Sequence, residues 1–519
     1  MTALGSRRWW ALGAITLAVL AAGLDATVLS VALPTLATAL HASESDLQWF
    51  SSGYLMVVGA AMLPAGLLGD RYGRKRVMLA SLALFAVGSV ACAYAPSAGA
   101  FIAARLLLGL AGAGVIVLAV SALTVLFSEE ERPKAVGIWA AANFLALPIG
   151  PILGGWLLTH FWWGWVFLMN APVALVGLIA TFALVPESRA AQRPGLDPLG
   201  MAATVAGLVG VTYGLIQAGE KGWGGPGALL PIIAGLASLA LFFLWERRLS
   251  RLPGGRPLVD PGLFRSPSFT WGVILMATVT LAMIGVLFTM PQYFQGVLGD
   301  DAMGSGLRLL PLVAGLVLGA VPADRVARRL GVKVTVTLGC VVLAAGLVIG
   351  TKTGLGSHPG FVAAWMAIVG AGMGLAMATS ASTALTELTE EQSGVGSAVM
   401  QAVKNAGGPF GAAVLGSVLH SAYRGQVAVS ALPAGPAAQV RRSVFAGIGV
   451  ARQLGSESLL HSVRAAFVAG LDQVVWVSAA IALGSAILAL AFLPRGATGA
   501  QRLGSGAGGR PDERAAVGG

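Results

Sequence analysis

The chain is short of charge, of cysteine and of every residue pattern that carries bond chemistry. Asp, Glu, Lys and Arg make up 11% of its 519 residues, where a soluble chain carries about 25%. That complement cannot cover a water-facing surface, which excludes a string of soluble domains. The two cysteines, Cys92 and Cys340, each lie inside an apolar run far from the other, so neither a disulfide framework nor a Cys-based metal site is expected. The histidines, at 41, 160, 358, 420 and 461, form no H-x-x-x-H pair, so zinc is not expected and no metal is assigned. Walker A, kinase, G-x-S-x-G and Rossmann fingerprints are all missing, which argues against ATP hydrolysis, hydride transfer and enzymatic activity in general. Cleanly alternating strands are missing too, so an outer-membrane barrel is excluded.

What the chain has in excess is apolar sequence: 56% hydrophobic residues and a mean hydropathy of +0.81. Cutting the Leu/Ala/Gly/Val-rich runs at about 20 residues per crossing predicts spans near 10–33, 48–68, 77–95, 101–126, 135–159, 165–185, 198–218 and 228–245. Six more follow near 269–291, 305–322, 333–350, 360–385, 395–419 and 466–493, for fourteen helices and no strands. The run after Arg7 and Arg8 is too long for a cleaved leader and carries Asp25, so it is read as the first span.

The net charge of +11 has meaning by position. Arg7 and Arg8, the 71–76 cluster, Arg132 and Lys134, Arg189 and Arg193, the 247–265 arginines, and Arg325 to Lys333 all fall on one face. The short loops of the other face hold only Lys221 and Lys352. The positive-inside rule then places both termini in the cytoplasm, with the lipid bilayer as the chain's main partner. No basic stretch is interleaved with aromatics, so nucleic acid is not an expected partner. The long segment 421–463 falls outside the membrane. Val440, Val444, Ile448 and Ala451 stand there at helical spacing, which fits either an amphipathic helix on the outer membrane surface or a partly ordered loop. The tail 494–519 is expected to be disordered.

The sequence also echoes itself. Asp70-Arg71-Tyr72-Gly73-Arg74-Lys75 after the second span returns as Asp324-Arg325-Val326-Ala327-Arg328-Arg329 after the tenth. Two six-helix halves, 10–185 and 269–493, separated by a helix pair in 198–245 and preceded by a short cytoplasmic segment 1–9, account for both the echo and the count.

Four stretches carry a family resemblance. Gly66-x-x-x-Asp70-Arg71-x-Gly73-Arg74-Lys75 resembles the loop signature of the major facilitator superfamily. Leu24-Asp25-Ala26-Thr27-Val28-Leu29-Ser30-Val31-Ala32-Leu33-Pro34 resembles the first-span signature of its fourteen-spanner drug:proton antiporters. Arg105-Leu106-Leu107-Leu108-Gly109 is similar to the buried-arginine motif of the fourth span, with Leu108 where Gln is usual. Ala146-x-x-x-Gly150-Pro151-x-x-Gly154-Gly155 is similar to the exporters' fifth-span signature, with Ala146 in place of its first Gly. The resemblance implies a proton-coupled antiporter in the cytoplasmic membrane. It would export amphipathic organic compounds, such as antibiotics or toxic cations, by alternating access. Such a carrier is expected to act as a monomer with no cofactor, the proton gradient being its energy source. A symporter importing a small solute is the alternative, against which the fifth-span signature argues.

The candidate site residues follow. Asp25 is a carboxylate inside a membrane helix, costly there and therefore a candidate for proton coupling, with a bracing role for a neighbouring helix as the alternative. Arg105 is its candidate partner, unless it reaches to the outer interface. Gly150, Pro151, Gly154 and Gly155 give a flat, bent helix face suited to sealing contacts. Gly66, Asp70, Arg71, Gly73, Arg74 and Lys75 form the conformational loop motif, with Asp70 placed to meet a helix N-terminus. Tyr54, Asn143, Gln292, Tyr293, Gln295, Met400 and Gln401 are candidates to line a midplane cavity. Lys404, deep in the thirteenth span, is a cation for an anionic substrate group or for a structural partner.

Overall fold

The computed structural model describes residues 2–127, 131, 135, 146, 149–189, 197–252, 261–386, 390–430 and 432–494. Helices dominate, and no strand occurs among the described residues. In chain order the long ones are α1 Thr2–Ala39, α2 Glu44–Tyr72, α3 Arg74–Ala93 and α4 Ala98–Leu126. Next come α5 (149–160), α6 Trp165–Leu184, α7 Pro198–Lys221, α8 Pro226–Leu249 and α9 Pro267–Gln292. The series ends with α10 Ala302–Ala320, α11 Val332–Gly350, α12 Pro359–Thr386, α13 Glu390–Gln426 and α14 Glu457–Phe492. Eleven helices among the described residues are long and apolar enough to cross a membrane, or twelve if α2, bent by 45° at Pro64, counts as one span. Residues 136–145, 147 and 148 of the expected fifth span, Asn143 among them, lie outside the described residues, as does the tail from 495.

Local chemistry sets the helix starts. Ser43 and Asp46 form a capping box on α2, Ser97 caps α4, and Ser266 followed by Pro267 opens α9. Pro64 removes a ladder donor and bends α2. Between α2 and α3, Gly73 holds φ +115, and a side chain added there would also run into Glu187, so the position is specific to glycine.

The helices α1, α2, α3, α4 and α6 pack on one another, and so do α9 to α14. Helices α7 and α8 pair with each other, and α7 rests on α2 and α13. On α8, Leu230, Ile233, Leu236 and Leu244 stay exposed by 53 to 65%. Such a surface suits hydrocarbon and would be unstable in water.

The segment between α13 and α14 differs from its expected form. Helix α13 runs on to Gln426 and α14 begins at Glu457, so the connection is 427–456 and not 421–463. It holds two short helices, Ala434–Val440 and Val444–Gln453. Val440, Val444, Ile448 and Ala451 are buried in the protein core, and Tyr423 donates its hydroxyl to the Val440 carbonyl at 2.8 Å. The apolar stripe is thus satisfied by the protein and not by a membrane surface.

Candidate functional site

Asp25 and Arg105 meet inside the packed helices α1, α2, α4 and α6. Arg105 Nη1 lies 2.5 Å from Asp25 Oδ2, and both side chains are essentially without exposure. The other carboxylate oxygen accepts from Asn170 Nδ2 of α6 at 3.1 Å. Arg105 Nε donates to the Phe50 carbonyl at 3.2 Å, and its guanidinium lies 4.3 Å from the Tyr54 ring centroid. The Tyr54 hydroxyl donates to the Ala22 carbonyl at 3.3 Å. Four helices are thereby tied to one buried ion pair, a geometry only a planar guanidinium can serve in full. Tyr54 is buried and covers the pair. Asn170 was missed as a site residue; its signal was an amide alone in an apolar run.

Helix α5 carries the Gly-Pro motif between two neighbours. A Cβ on Gly154 would stand 2.7 Å from Val28 Cγ1 of α1, and one on Gly155 would stand 2.7 Å from the Ala302 carbonyl oxygen of α10. Gly306 of α10 lies in turn against the Pro151 carbonyl, closer than any side chain allows, and Gly150 lies against Thr27. Thr27 Oγ1 also donates to the Ala146 carbonyl at 3.0 Å. A small, mostly apolar pocket opens beside this contact, lined by Thr27, Ser30, Pro151, Met283, Leu287 and Met373 among others, so that α1 and α5 face α9, α10 and α12 across it.

The α5–α10 contact belongs to a seal on the face opposite the Asp70 loop. Gln295 Nε2 donates to the Val31 carbonyl at 3.0 Å, Gln292 Nε2 reaches Glu44 Oε1 at 3.3 Å, and Ser417 Oγ lies 3.5 Å from Gln48 Oε1. Gln292, Tyr293 and Gln295, taken from the sequence as cavity candidates, therefore sit in or beside this seal. Tyr293 spends its hydroxyl on the Gly354 carbonyl at 2.7 Å. Buried amides and phenols tend to find partners, and here these lie on α1, on α2 and in the turn between α11 and α12. Met400 packs with Phe269, Val273 and Met276 in a buried cluster. Lys404 is half-buried and forms no ion pair among the described residues; the side chain of Gln401 is outside them. Because Gly306 admits no Cβ, Gly306→Val is expected to push α10 off α5. Labelling of a cysteine placed at Ser30, buried beside this contact, by an impermeant maleimide should rise several-fold; unchanged labelling would show that this contact does not hold the seal.

At the Asp70 loop, Arg74 Nε pairs with Asp70 Oδ1 at 2.8 Å. Lys75 Nζ donates to the Phe182 carbonyl at 2.7 Å, while Arg74 N–H donates to the Ser188 carbonyl at 2.9 Å. Among the described residues Asp70 is paired with the first turn of α3, the helix that follows it. Arg76 Nε lies 3.6 Å from Glu187 Oε2, a partner the motif alone did not reveal. Arg71 stacks near Tyr72 at 5.7 Å.

The chain and its fold have known counterparts. The model of the Major Facilitator Superfamily matches residues 15–197 and 199–412. The chain belongs to that superfamily. Among its relatives, the tetracenomycin C resistance and export protein of Streptomyces glaucescens is 32% identical over 501 residues, covering 94% of this chain and 92% of the relative. The multidrug efflux pump LfrA of Mycolicibacterium smegmatis is 32% identical over 499 residues, covering 94% and 97%. In fold, the chain is similar to a bacterial homolog of the human lysosomal transporter Spinster in an inward-facing, unoccupied conformation. The TM-score is 0.65 at 18% identity, over 93% of this chain and 96% of that one.

Proposed function

We propose that this superfamily member is a proton-coupled antiporter that exports amphipathic organic compounds across the cytoplasmic membrane by alternating access. In this reading the chain crosses fourteen times, with both termini in the cytoplasm and no cofactor. Two six-helix bundles, 10–185 and 269–493, rock about the central path, and the pair in 198–245 flanks them. The observation that carries the proposal is the Asp25–Arg105 pair, a titratable carboxylate kept inside the span by one cation and one amide. A charge in hydrocarbon is costly, and a protein that keeps one there commonly uses it.

The geometry gives the proton a consequence. Protonating Asp25 cancels its attraction to Arg105, whereas Arg105 remains held by the Phe50 carbonyl and the Tyr54 ring. The tie from α1 to α4 is what loosens. Since α1 also bears Thr27, Val28 and Val31 against the seal, a change at Asp25 reaches the contacts between bundles through one helix. The relatives' names, for tetracenomycin C export and multidrug efflux, support an antibiotic-like cargo.

Inside-out vesicles test the proposal. A pH gradient imposed across them should dissipate when ethidium or puromycin is added to vesicles carrying this chain, and hold in vesicles without it. A gradient that holds in both, while the chain still moves the compounds, would remove the coupling.

A further inference from the structure

The seal contains a carboxylate that the mechanism above does not use. Glu44, the first residue of α2, is 3% exposed. Its carboxylate accepts from Gln292 Nε2 of α9 at 3.3 Å, and its backbone N–H donates to the Arg442 carbonyl of the 427–456 segment at 3.1 Å. The residue therefore joins three parts of the chain that must separate if this face opens.

Among the described residues no cation is paired with its carboxylate. From α2 itself, Asp46 is engaged with the backbone and hydroxyl of Ser43. From the α1–α2 turn, His41 gives its carbonyl to Arg442 Nη2 at 3.0 Å, which directs that guanidinium to the backbone. From α13 come His420, buried, and Tyr423, whose hydroxyl donates to the Val440 and Ser443 carbonyls. From the turn that follows α9 comes Tyr293, bonded to Gly354. Among the described residues Glu44 has no salt bridge. Gln292 Oε1, on the same amide that touches Glu44, is buried with no donor.

An anion buried without a cation is heavily penalised. The α2 N-terminus favours negative charge, but this effect is modest beside burial. A neutral acid resolves both difficulties: it keeps the bond from Nε2 and adds an O–H donor that the orphaned Oε1 can accept. We propose that Glu44 is a second proton-binding carboxylate of the transport cycle, neutral while α2, α9 and the 427–456 segment are closed on one another and ionised once they part. This rests on the alternating-access reading above. When the seal opens, water reaches the carboxylate and it titrates as an ordinary glutamate. The closed form thus holds one proton more than the open form, so acid on that side favours closure. The proton comes from and returns to the same compartment, and so times closure without entering the stoichiometry of exchange.

The test uses the full chain in nanodiscs, with Cys92 and Cys340 replaced by Ala and spin labels on Thr38→Cys and Gly356→Cys, both exposed on this face. Between pH 8 and pH 5, chosen as roughly the range of a perturbed carboxylate, the shorter of two distances should gain population. Glu44→Gln should hold the shorter distance at every pH, abolishing the response. Gln292→Leu, which removes the amide without touching the acid, should lower the midpoint by about one pH unit, the tenfold effect of one lost hydrogen bond. The response should persist in Asp25→Asn, which separates it from the buried pair. An unchanged midpoint in Glu44→Gln, or a response lost in Asp25→Asn and kept in Glu44→Gln, overturns the proposal. A single distance at every pH in the parent overturns the alternating-access reading instead.

Discussion

Asp25→Asn should abolish uphill efflux while leaving downhill substrate exchange at a substantial fraction of the parental rate. Asparagine keeps the size of the side chain: its one carbonyl oxygen can still accept from Arg105, while its Nδ2 can donate to the carbonyl oxygen of a flipped Asn170 amide, so the helices stay connected. What it loses is the ability to take up and release a proton. For a monovalent cationic cargo, one proton exchanged for one cation moves no net charge. For a neutral cargo one charge moves, worth about 2.3 kcal/mol per 100 mV, so the lost driving force should depend on cargo charge and membrane potential. Efflux and counterflow measured on the same proteoliposome preparation check this. Retained uphill efflux that a protonophore collapses would move the coupling carboxylate elsewhere, with Asp472 in α14 the next candidate.

Arg105→Ala should be the most destabilising of the single substitutions. It strands Asp25 in a site without exposure, and breaking a buried pair from one side costs about 3–5 kcal/mol. It also removes the donor to the Phe50 carbonyl and the cation over Tyr54, the latter worth about 2 kcal/mol when desolvated. Asp25 can escape part of this penalty by holding a proton permanently, so transport should stop even where folded protein remains. Thermal unfolding in detergent should show a large drop for Arg105→Ala and a partial recovery in the double variant with Asp25→Asn, since neutralising the stranded acid removes the worst of the cost. Equal stability of the single and double variants would mean that the pair is not electrostatically coupled.

How much of this was legible in the sequence depends on the range of the interaction. The spans could be read because bilayer thickness imposes a run length that few other structures need. Asp25 and Arg105 stood out because charge is rare in such runs. Asn170 and Glu44 did not, because their meaning comes from partners 145 and 248 residues away, which no local pattern encodes. Gln292 and Gln295 were recognised as unusual but assigned to a cavity; an amide in a span signals a polar partner without saying whether that partner is a ligand or a facing helix. The stripe in 427–456, which the sequence left open as a helix or a partly ordered loop, is split over two short helices; a one-sided apolar helix fits lipid and protein equally well, and only the neighbouring α14 and the α13 terminus decide. The motif at Asp70 gave the turn at Gly73 but not Glu187, which arrives from the end of α6.

The most direct measurement of the central claim is the internal pH of proteoliposomes that enclose an indicator dye, with no gradient imposed at the start. Ethidium, a permanent cation that carries no proton of its own, is added outside. If the chain exchanges cargo for protons through Asp25, ethidium entry should make the interior alkaline with the parent chain and leave it unchanged with Asp25→Asn. Ethidium entry through the parent chain with no pH change, or with acidification, would contradict proton antiport.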